Sequence, residues 1–379
     1  MTKIPIKEGL TPTGTLSENQ RDLLNLIRLH QPVRRSALTD MTSLTQQSVH
    51  RILSSLEDMG LIQTAPGEAS GPGKPSPNLN LVDRARFGLG ILLNTDSVVL
   101  SVVGLKCEPL AGRSFAIDAS DRTRALDVIH EAALDMLEEH EIPQDALCGV
   151  GFTLPGFFVE AHSLFNAPEL LRDWSLVDLR PELEARFGLP VTLENSANAG
   201  AIGETLGEIG KRYHNFVYLG FDYGFGGAIV IDGRLHAGRA GNAGELSAIW
   251  MDDEIKHRPA MGLLLEHLRA RGVELSGIDQ LRREFDPNWP GVEDWVRQTL
   301  PQLNRLIFGL TGIVDPEAIV FGGQIAPELA RILIERVSFP SKFRYDHPPP
   351  LPDLVMGSTV ENPAASGVAQ LPLKHTYFR

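Results

Sequence analysis

The densest group of hydrogen-bonding side chains is Glu194-Asn195-Ser196-Ala197-Asn198, set between the apolar run Val191-Thr192-Leu193 and the small residues Ala199, Gly200 and Ala201. An apolar, β-branched stretch followed by a polar turn and small residues predicts a strand that passes into a helix. Polar side chains at such a junction face the crevice at the end of a sheet, where α/β folds bind ligands. The same pattern describes an ordinary strand-to-helix loop with an asparagine cap, and spacing alone leaves both readings open. Cys148–Leu154 is a second apolar run that enters a turn at Pro155-Gly156, and Gly238–Ala248 carries Asn242 and Glu245 among small residues.

Glu194–Ala199 resembles the Glu-Asn-Asp-Ala-Asn-Ala signature of the ROK family (repressors, open reading frames and sugar kinases). In the kinases of that family the Asp of the motif is the catalytic base, which takes the proton of a sugar hydroxyl; Ser196 stands in its place here. A serine hydroxyl is not a useful proton acceptor near neutral pH, and a positioned base is worth about 10²–10⁴-fold. It still donates and accepts hydrogen bonds. The resemblance implies a sugar-site scaffold without its base. The segment ending in Pro155-Gly156 is similar to one that borders the family's sugar pocket, and Asn166–Trp174 to one that ends in a tryptophan before the next helix. Trp174 itself is expected in the core, where large aromatics usually lie. Asn242-Ala-Gly-Glu245 resembles the segment whose Glu holds two sugar hydroxyls. The resemblance implies an effector held by Asn195, Ser196 and Glu245, with Pro155, Gly156 and Asn166 on its rim.

Other family motifs are altered. Where the kinases carry a first glycine-rich phosphate loop, this chain has Asn94-Thr-Asp96-Ser97, with no glycine to let backbone N–H groups close on phosphate. At the second loop Asp222 and Tyr223 replace Gly-Thr ahead of Gly224-Phe-Gly-Gly227. Carboxylates at both places are poor neighbours for a triphosphate. The family's sugar- and zinc-contacting His is replaced by Ala248, and its cysteine cluster is absent. A structural zinc site needs four N or S ligands, and His257 and His267 are isolated, so no metal and no cofactor are expected.

Those motifs need a two-lobed scaffold, and the 379 residues suffice for two or three domains. Cys107 and Cys148 form neither a disulfide framework nor a zinc motif. The beginning of the chain has no apolar leader pattern and no run reaches membrane-span length, so a cytoplasmic protein is expected. The net charge is −13, unevenly spread: residues 1–82 hold 8 basic and 7 acidic residues, the rest 27 and 41. An acidic body with a nearly neutral head is compatible with DNA binding through the head alone.

The head reads as follows. Residues 1–16 are a mobile arm. Ser17-Glu-Asn-Gln20 is a capping box opening a helix with Leu23, Leu24, Ile27 and Leu29 at helical spacing. A short second helix, Arg34 to about Met41, leads through a turn to a third that Thr45 caps and Gly60 closes. The succession is a helix-turn-helix, with Gln46, Gln47, His50 and Arg51 on the outer face of its third helix, where Gln and Arg suit base edges. A three-helix bundle with a solvated polar face has the same pattern. The Gly/Pro-rich stretch 66–77 between two strand-like segments is laid out as a wing, and Gly73-Lys74-Pro75 resembles the Gly-Arg-Pro of ROK repressors, where an extended basic segment reaches the minor groove.

The expected fold is therefore α/β: arm 1–16, winged helix-turn-helix 17–82, and an actin/hexokinase-like ROK body with lobes 83–205 and 206–363 and a closing helix, about 364–379, packed back on the first lobe. The resemblance implies a transcriptional regulator, in the family's manner a repressor, that binds a pseudo-palindromic operator as a homodimer or tetramer. Its kinase-dead body would sense a sugar or sugar-like effector that weakens DNA binding. The alternatives are a diverged sugar kinase with an accessory DNA-binding domain, and a regulator controlled by a partner protein without a small ligand.

Overall fold

The computed structural model describes residues 16–65, 77–160, 163–339, 349–357 and 363–378. Ser17 caps α1 (Glu18–His30) through the reciprocal box, Gln20 N to Ser17 Oγ at 3.3 Å and Ser17 N to Gln20 Oε1 at 2.8 Å. Leu23, Leu24 and Ile27 are buried, whereas Leu29 is 57% exposed, so the apolar stripe is narrower than its spacing implied. Leu16, assigned to the arm, is buried in the head core; the rest of the arm lies outside the described residues. A two-residue strand, β1 (Val33–Arg34), precedes α2 (Arg35–Asp40), and α3 (Gln46–Asp58) packs Val49, Leu53 and Leu56 inward. With β2 (Ile62–Ala65) and β3 (Asn78–Leu81), β1 completes a three-stranded sheet in the order β1-β3-β2. The strands β2 and β3 flank the stretch read from the sequence as a wing; residues 66–76, with Lys74, lie outside the described residues.

The body has two lobes, each built on a five-stranded sheet. The first contains β4 (Phe87–Leu93), β5 (Ser97–Val103), β6 (Pro109–Ala116), α4 (Arg122–Glu139), β7 (Leu147–Leu154), the hairpin β8 (Phe157–Glu160) and β9 (Leu164–Asn166), α5 (Arg180–Phe187) and β10 (Val191–Asn195), in the order β10-β7-β4-β5-β6. The second follows α6 (Ser196–Leu206) and α7 (Glu208–Arg212). It holds β11 (Phe216–Phe221), β12 (Phe225–Ile231), β13 (Arg234–Leu235), α8 (Met261–Arg269), α9 (Ile278–Glu284), α10 (Val292–Val314), β14 (Ala318–Gly323), α11 (Pro327–Arg336) and β15 (Asp353–Met356), in the order β13-β12-β11-β14-β15. In each sheet three parallel strands meet an antiparallel pair. This is the two-lobed, actin/hexokinase-like architecture expected of the body. Trp174 is fully buried in the first lobe's core. Val128, at helical spacing from the buried Ala125 and next to the buried Ile129 of α4, is nonetheless 41% exposed.

The last helix, α12 (Pro363–Tyr377), lies on β4 and β7 because the strands have no side chain beneath it. A Cβ on Gly90 would come within 2.0 Å of the Ala365 carbonyl oxygen, and one on Gly151 within 2.0 Å of that of Val368. The helix does more than close the first lobe. Its far end carries Leu373 and Tyr377 into the core of the head, alongside Leu23, Ile27 and Leu79, and Phe378 follows them. Head and body thus share one continuous apolar cluster.

Candidate functional site

Asn195 ends β10 and caps α6, its Oδ1 accepting from Asn198 N at 2.7 Å. The cap was one of the two readings of this motif, and it restricts the other: the acceptor of Asn195 is engaged, which leaves its amide N–H groups for a ligand. Glu194 is buried, and its Oε1 accepts from Asn195 N at 3.0 Å and from Asn198 Nδ2 at 2.9 Å. Asn198 Nδ2 also donates to the Gly241 carbonyl at 3.1 Å. Glu194 and Asn198 therefore fasten the strand-to-helix junction to the loop that carries Asn242 and Glu245.

Ser196, the first residue of α6, directs its hydroxyl at a carboxylate from the other lobe. Its Oγ donates to Asp222 Oδ2 at 3.4 Å, and Asp222 Oδ1 accepts from Gln324 N at 3.2 Å. Burial pushes the Asp222 carboxyl up to about 6, against the opposing hydrogen bonds from Gln324 and Ser196. Burial likewise raises Glu245, while the Ser247 N–H and hydroxyl oppose the rise.

These groups line one cleft between the lobes, a cavity of about 410 Å³. It falls in the range of about 300–1,000 Å³ common for small-molecule sites. Asn195, Ser196, Glu245, Pro155, Gly156 and Asn166, six residues from four segments of the sequence, all lie on its wall. Gly156 has φ +142° and a Cβ there would approach the Asn166 carbonyl oxygen to 2.5 Å, so the rim requires glycine. The sequence reading missed Asp222 and Arg258 as wall residues. Asp222 was legible only as an oddity of the glycine loop, and Arg258 belongs to no motif. Desolvation lowers the Arg258 guanidinium, which donates to the Ile255 carbonyl at 2.9 Å. The wall thus offers carboxylates, amide and hydroxyl groups and one guanidinium, the inventory that binds a polyhydroxylated molecule.

Asn242 closes the cleft on one side. Its Nδ2 donates to the Phe158 carbonyl at 2.7 Å and its Oδ1 accepts from Phe158 N at 2.8 Å, joining the second lobe to the β8–β9 hairpin of the first. The turn between β4 and β5 forms no glycine cradle. Asn94 Nδ2 donates to Ser97 Oγ at 3.2 Å, and Asp96 Oδ2 accepts from Asp279 N, in the first turn of α9, at 3.4 Å.

In the head, Gln46, Gln47, His50 and Arg51 are exposed together along α3. Thr45 is also exposed, but its Oγ1 accepts from Ser48 N at 3.2 Å and serves as the helix cap. Lys74 lies outside the described residues. Among the described residues no group of three His, Cys, Asp or Glu side chains could hold a metal ion, and no helix is long and apolar enough to cross a membrane.

Known proteins carry the same architecture. The sequence model of the ROK family matches residues 89–262. A "Putative xylose repressor" from Caldicellulosiruptor sp. (strain Rt8B.4) is 30% identical over 363 residues, covering 84% of this chain and 88% of that protein. The chain belongs to the ROK family. Among solved structures, a ROK family transcriptional regulator described as a homolog of the E. coli MLC protein superimposes with a TM-score of 0.70 at 22% identity, over 94% of this chain and 96% of that one. A ROK family glucokinase from Streptomyces griseus, in complex with glucose and AMPPNP, has a TM-score of 0.61 at 21% identity and covers 75% of this chain and 98% of its own. At these identities the two structures establish the fold. They also differ in extent: the regulator's likeness spans nearly the whole chain, whereas the glucokinase's leaves a quarter of it uncovered.

Proposed function

We propose that the protein is a ROK-family transcriptional repressor that binds a pseudo-palindromic operator as a homodimer through its head and is released by a sugar or sugar-like effector bound in the cleft. The observation that carries the reading is α12, which runs from the first lobe, where it packs against α6, into the core of the head. A change in lobe packing is thereby transmitted to the DNA-binding surface without a flexible joint. The relative named as a xylose repressor supports the same assignment. In the cleft the Asn195 amide and Ser196 hydroxyl donate to sugar oxygens, and Glu245 accepts from adjacent hydroxyls. A regulator that works on DNA in this way would act in the cytoplasm.

Kinase activity is lost in this reading. Ser196 cannot act as the base, and Asp96 and Asp222 set negative charge beside the places where a triphosphate would bind. One observation favours the opposite reading: the Asp222 carboxylate lies beside Ser196, where it could accept a proton. A coupled ADP-release assay with common hexoses, pentoses and amino sugars decides between them. Turnover at or above about 1 s⁻¹, an ordinary enzymatic rate, would establish the kinase.

The repressor reading is tested by selecting bound sequences from random DNA and titrating the selected operator with and without each sugar. An effector should weaken operator binding by about 5- to 150-fold, a coupling of about 1–3 kcal/mol. Glu245→Ala should abolish this response and leave the ligand-free operator affinity unchanged within about twofold. If no sugar in the panel changed operator affinity, the effector assignment would be withdrawn.

A further inference from the structure

A second cavity, of about 320 Å³, lies where the head meets the body. Its wall brings together three cations from three elements: Arg28 of α1, Arg234 of β13 and Lys374 of α12. Among the described residues none of them has a carboxylate in ion-pair contact. Arg28 hydrogen-bonds Asn25 Oδ1 and lies over the Phe378 ring, 5.5 Å from its centroid. Asp232 is the one carboxylate on the wall, and His214 lies beside it. Desolvation, then the charges of Arg234 and Arg28, lower the Lys374 ammonium, so the three cations sense one another.

Gathering like charges at a joint between domains disfavours the joint. The cost disappears when an anion sits among them. A second feature points the same way. Gln370, 4% exposed and on the same wall, has its buried Oε1 without a hydrogen-bond partner. Its Nε2 donates only a long bond, 3.4 Å, to the Cys107 carbonyl. Buried amide oxygens of this kind are nearly always paired, and a ligand hydroxyl would pair this one.

We propose that the cavity bounded by α1, β13 and α12 is a second ligand site, distinct from the sugar cleft, for a compact hydroxylated anion, either a phosphate monoester or a hydroxy acid. Arg28, Arg234 and Lys374 neutralise the anionic group, and Gln370 accepts from the hydroxyl. Because the cations come from the head, from the second lobe and from α12, the bound anion fastens all three. The site therefore reports to the head through contacts that the cleft ligand does not touch.

The test is thermal unfolding of the full-length protein at constant ionic strength, titrated with glycerol 3-phosphate, malate and inorganic phosphate, with glycerol as the uncharged control. A ligand that binds only the folded state raises its melting temperature in a saturable manner. A saturable rise is expected with glycerol 3-phosphate or with malate, and whichever acts identifies the anionic group as phosphate or carboxylate; glycerol should be inert. Replacing Arg234→Gln and Lys374→Gln together, which removes two of the three cations, should raise the half-saturating concentration at least tenfold. Glu245→Gln, in the other cleft, should leave it unchanged. No saturable rise with any of the three anions, or the same half-saturation in the double variant, would overturn the proposal. So would a double variant that kept the anion response but bound all DNA sequences more weakly, because the cations would then serve the DNA backbone.

Discussion

Ser196 and Asp222 make one unit across the cleft, and its behaviour follows from where the carboxylate lies. A free aspartate titrates near 4, whereas burial lifts Asp222 to about 6. The folded protein therefore holds this proton more tightly than the unfolded chain does. Below about pH 4 the group is neutral in both states and stability is unaffected; as pH rises through 6 the folded state must keep a buried anion, and stability is lost. A shift of about two units corresponds to roughly 2–3 kcal/mol. Asp222→Asn retains an acceptor for Gln324 and a polar partner for Ser196 but cannot ionise. The difference in urea unfolding free energy, variant minus parent, should be near zero at pH 4 and grow to about 2–3 kcal/mol by pH 7. Taking the difference cancels the titration of the other carboxylates. A difference that stayed flat across this window would show that Asp222 is not held at a raised pKa. At this scale the sequence was informative wherever a motif was local. Asn195, Ser196 and Glu245 were singled out because each sits in a short run that resembles a ROK motif. The Ser196–Asp222 contact spans 26 residues and two lobes, and Arg258 sits in a stretch with no periodicity, so neither left a local signal.

Among the elements, α3 has the most clearly divided labour. Thr45 holds its N-terminus, and Gln46, Gln47, His50 and Arg51 lie exposed along its outer side. Thr45→Ala removes the cap and should lower the stability of the protein by about 1 kcal/mol, read as a lowered urea midpoint. Arg51→Ala removes no packing and should leave stability within about 0.5 kcal/mol. Its effect belongs to DNA: discrimination between the selected operator and a single-base variant should fall by about 1–3 kcal/mol at one position, the worth of a bidentate base contact. If Arg51→Ala instead weakened all sequences equally, Arg51 would contact phosphate. The helix α1 was legible because an apolar stripe recurs over several turns. The strand β1 was not, because two residues cannot display alternation. The far end of α12 was not either: Tyr377 and Phe378 meet the head only through the fold, and their spacing reads as the end of any amphipathic helix.

In the molecule as a whole, few specific polar contacts join the two lobes among the described residues: the Ser196–Asp222, Asp96–Asp279 and Asn198–Gly241 hydrogen bonds, and the paired bonds of Asn242 with the Phe158 backbone. The Asn242 pair is the shortest and best placed of these. Neutral hydrogen bonds contribute about 0.5–1.5 kcal/mol each, so removing both should shift the balance between closed and open lobes by about 2 kcal/mol, roughly 30-fold toward the open form. A ligand that needs the closed form loses apparent affinity in proportion to the population it must recover. Asn242→Ala should therefore weaken effector binding by about tenfold or more and enlarge the ligand-free protein in X-ray scattering. If effector closes the lobes and the open form is the one that holds the heads at operator spacing, operator affinity without effector should stay level or rise. The release of DNA by effector should then require correspondingly more effector and still reach the same end point, since the bound state is unchanged. A variant with unaltered scattering and unaltered effector affinity would mean that the lobes are held by their apolar contacts and that Asn242 only orders its own loop. A variant that lost operator binding without effector would reverse the assignment, making the closed form the one that binds DNA.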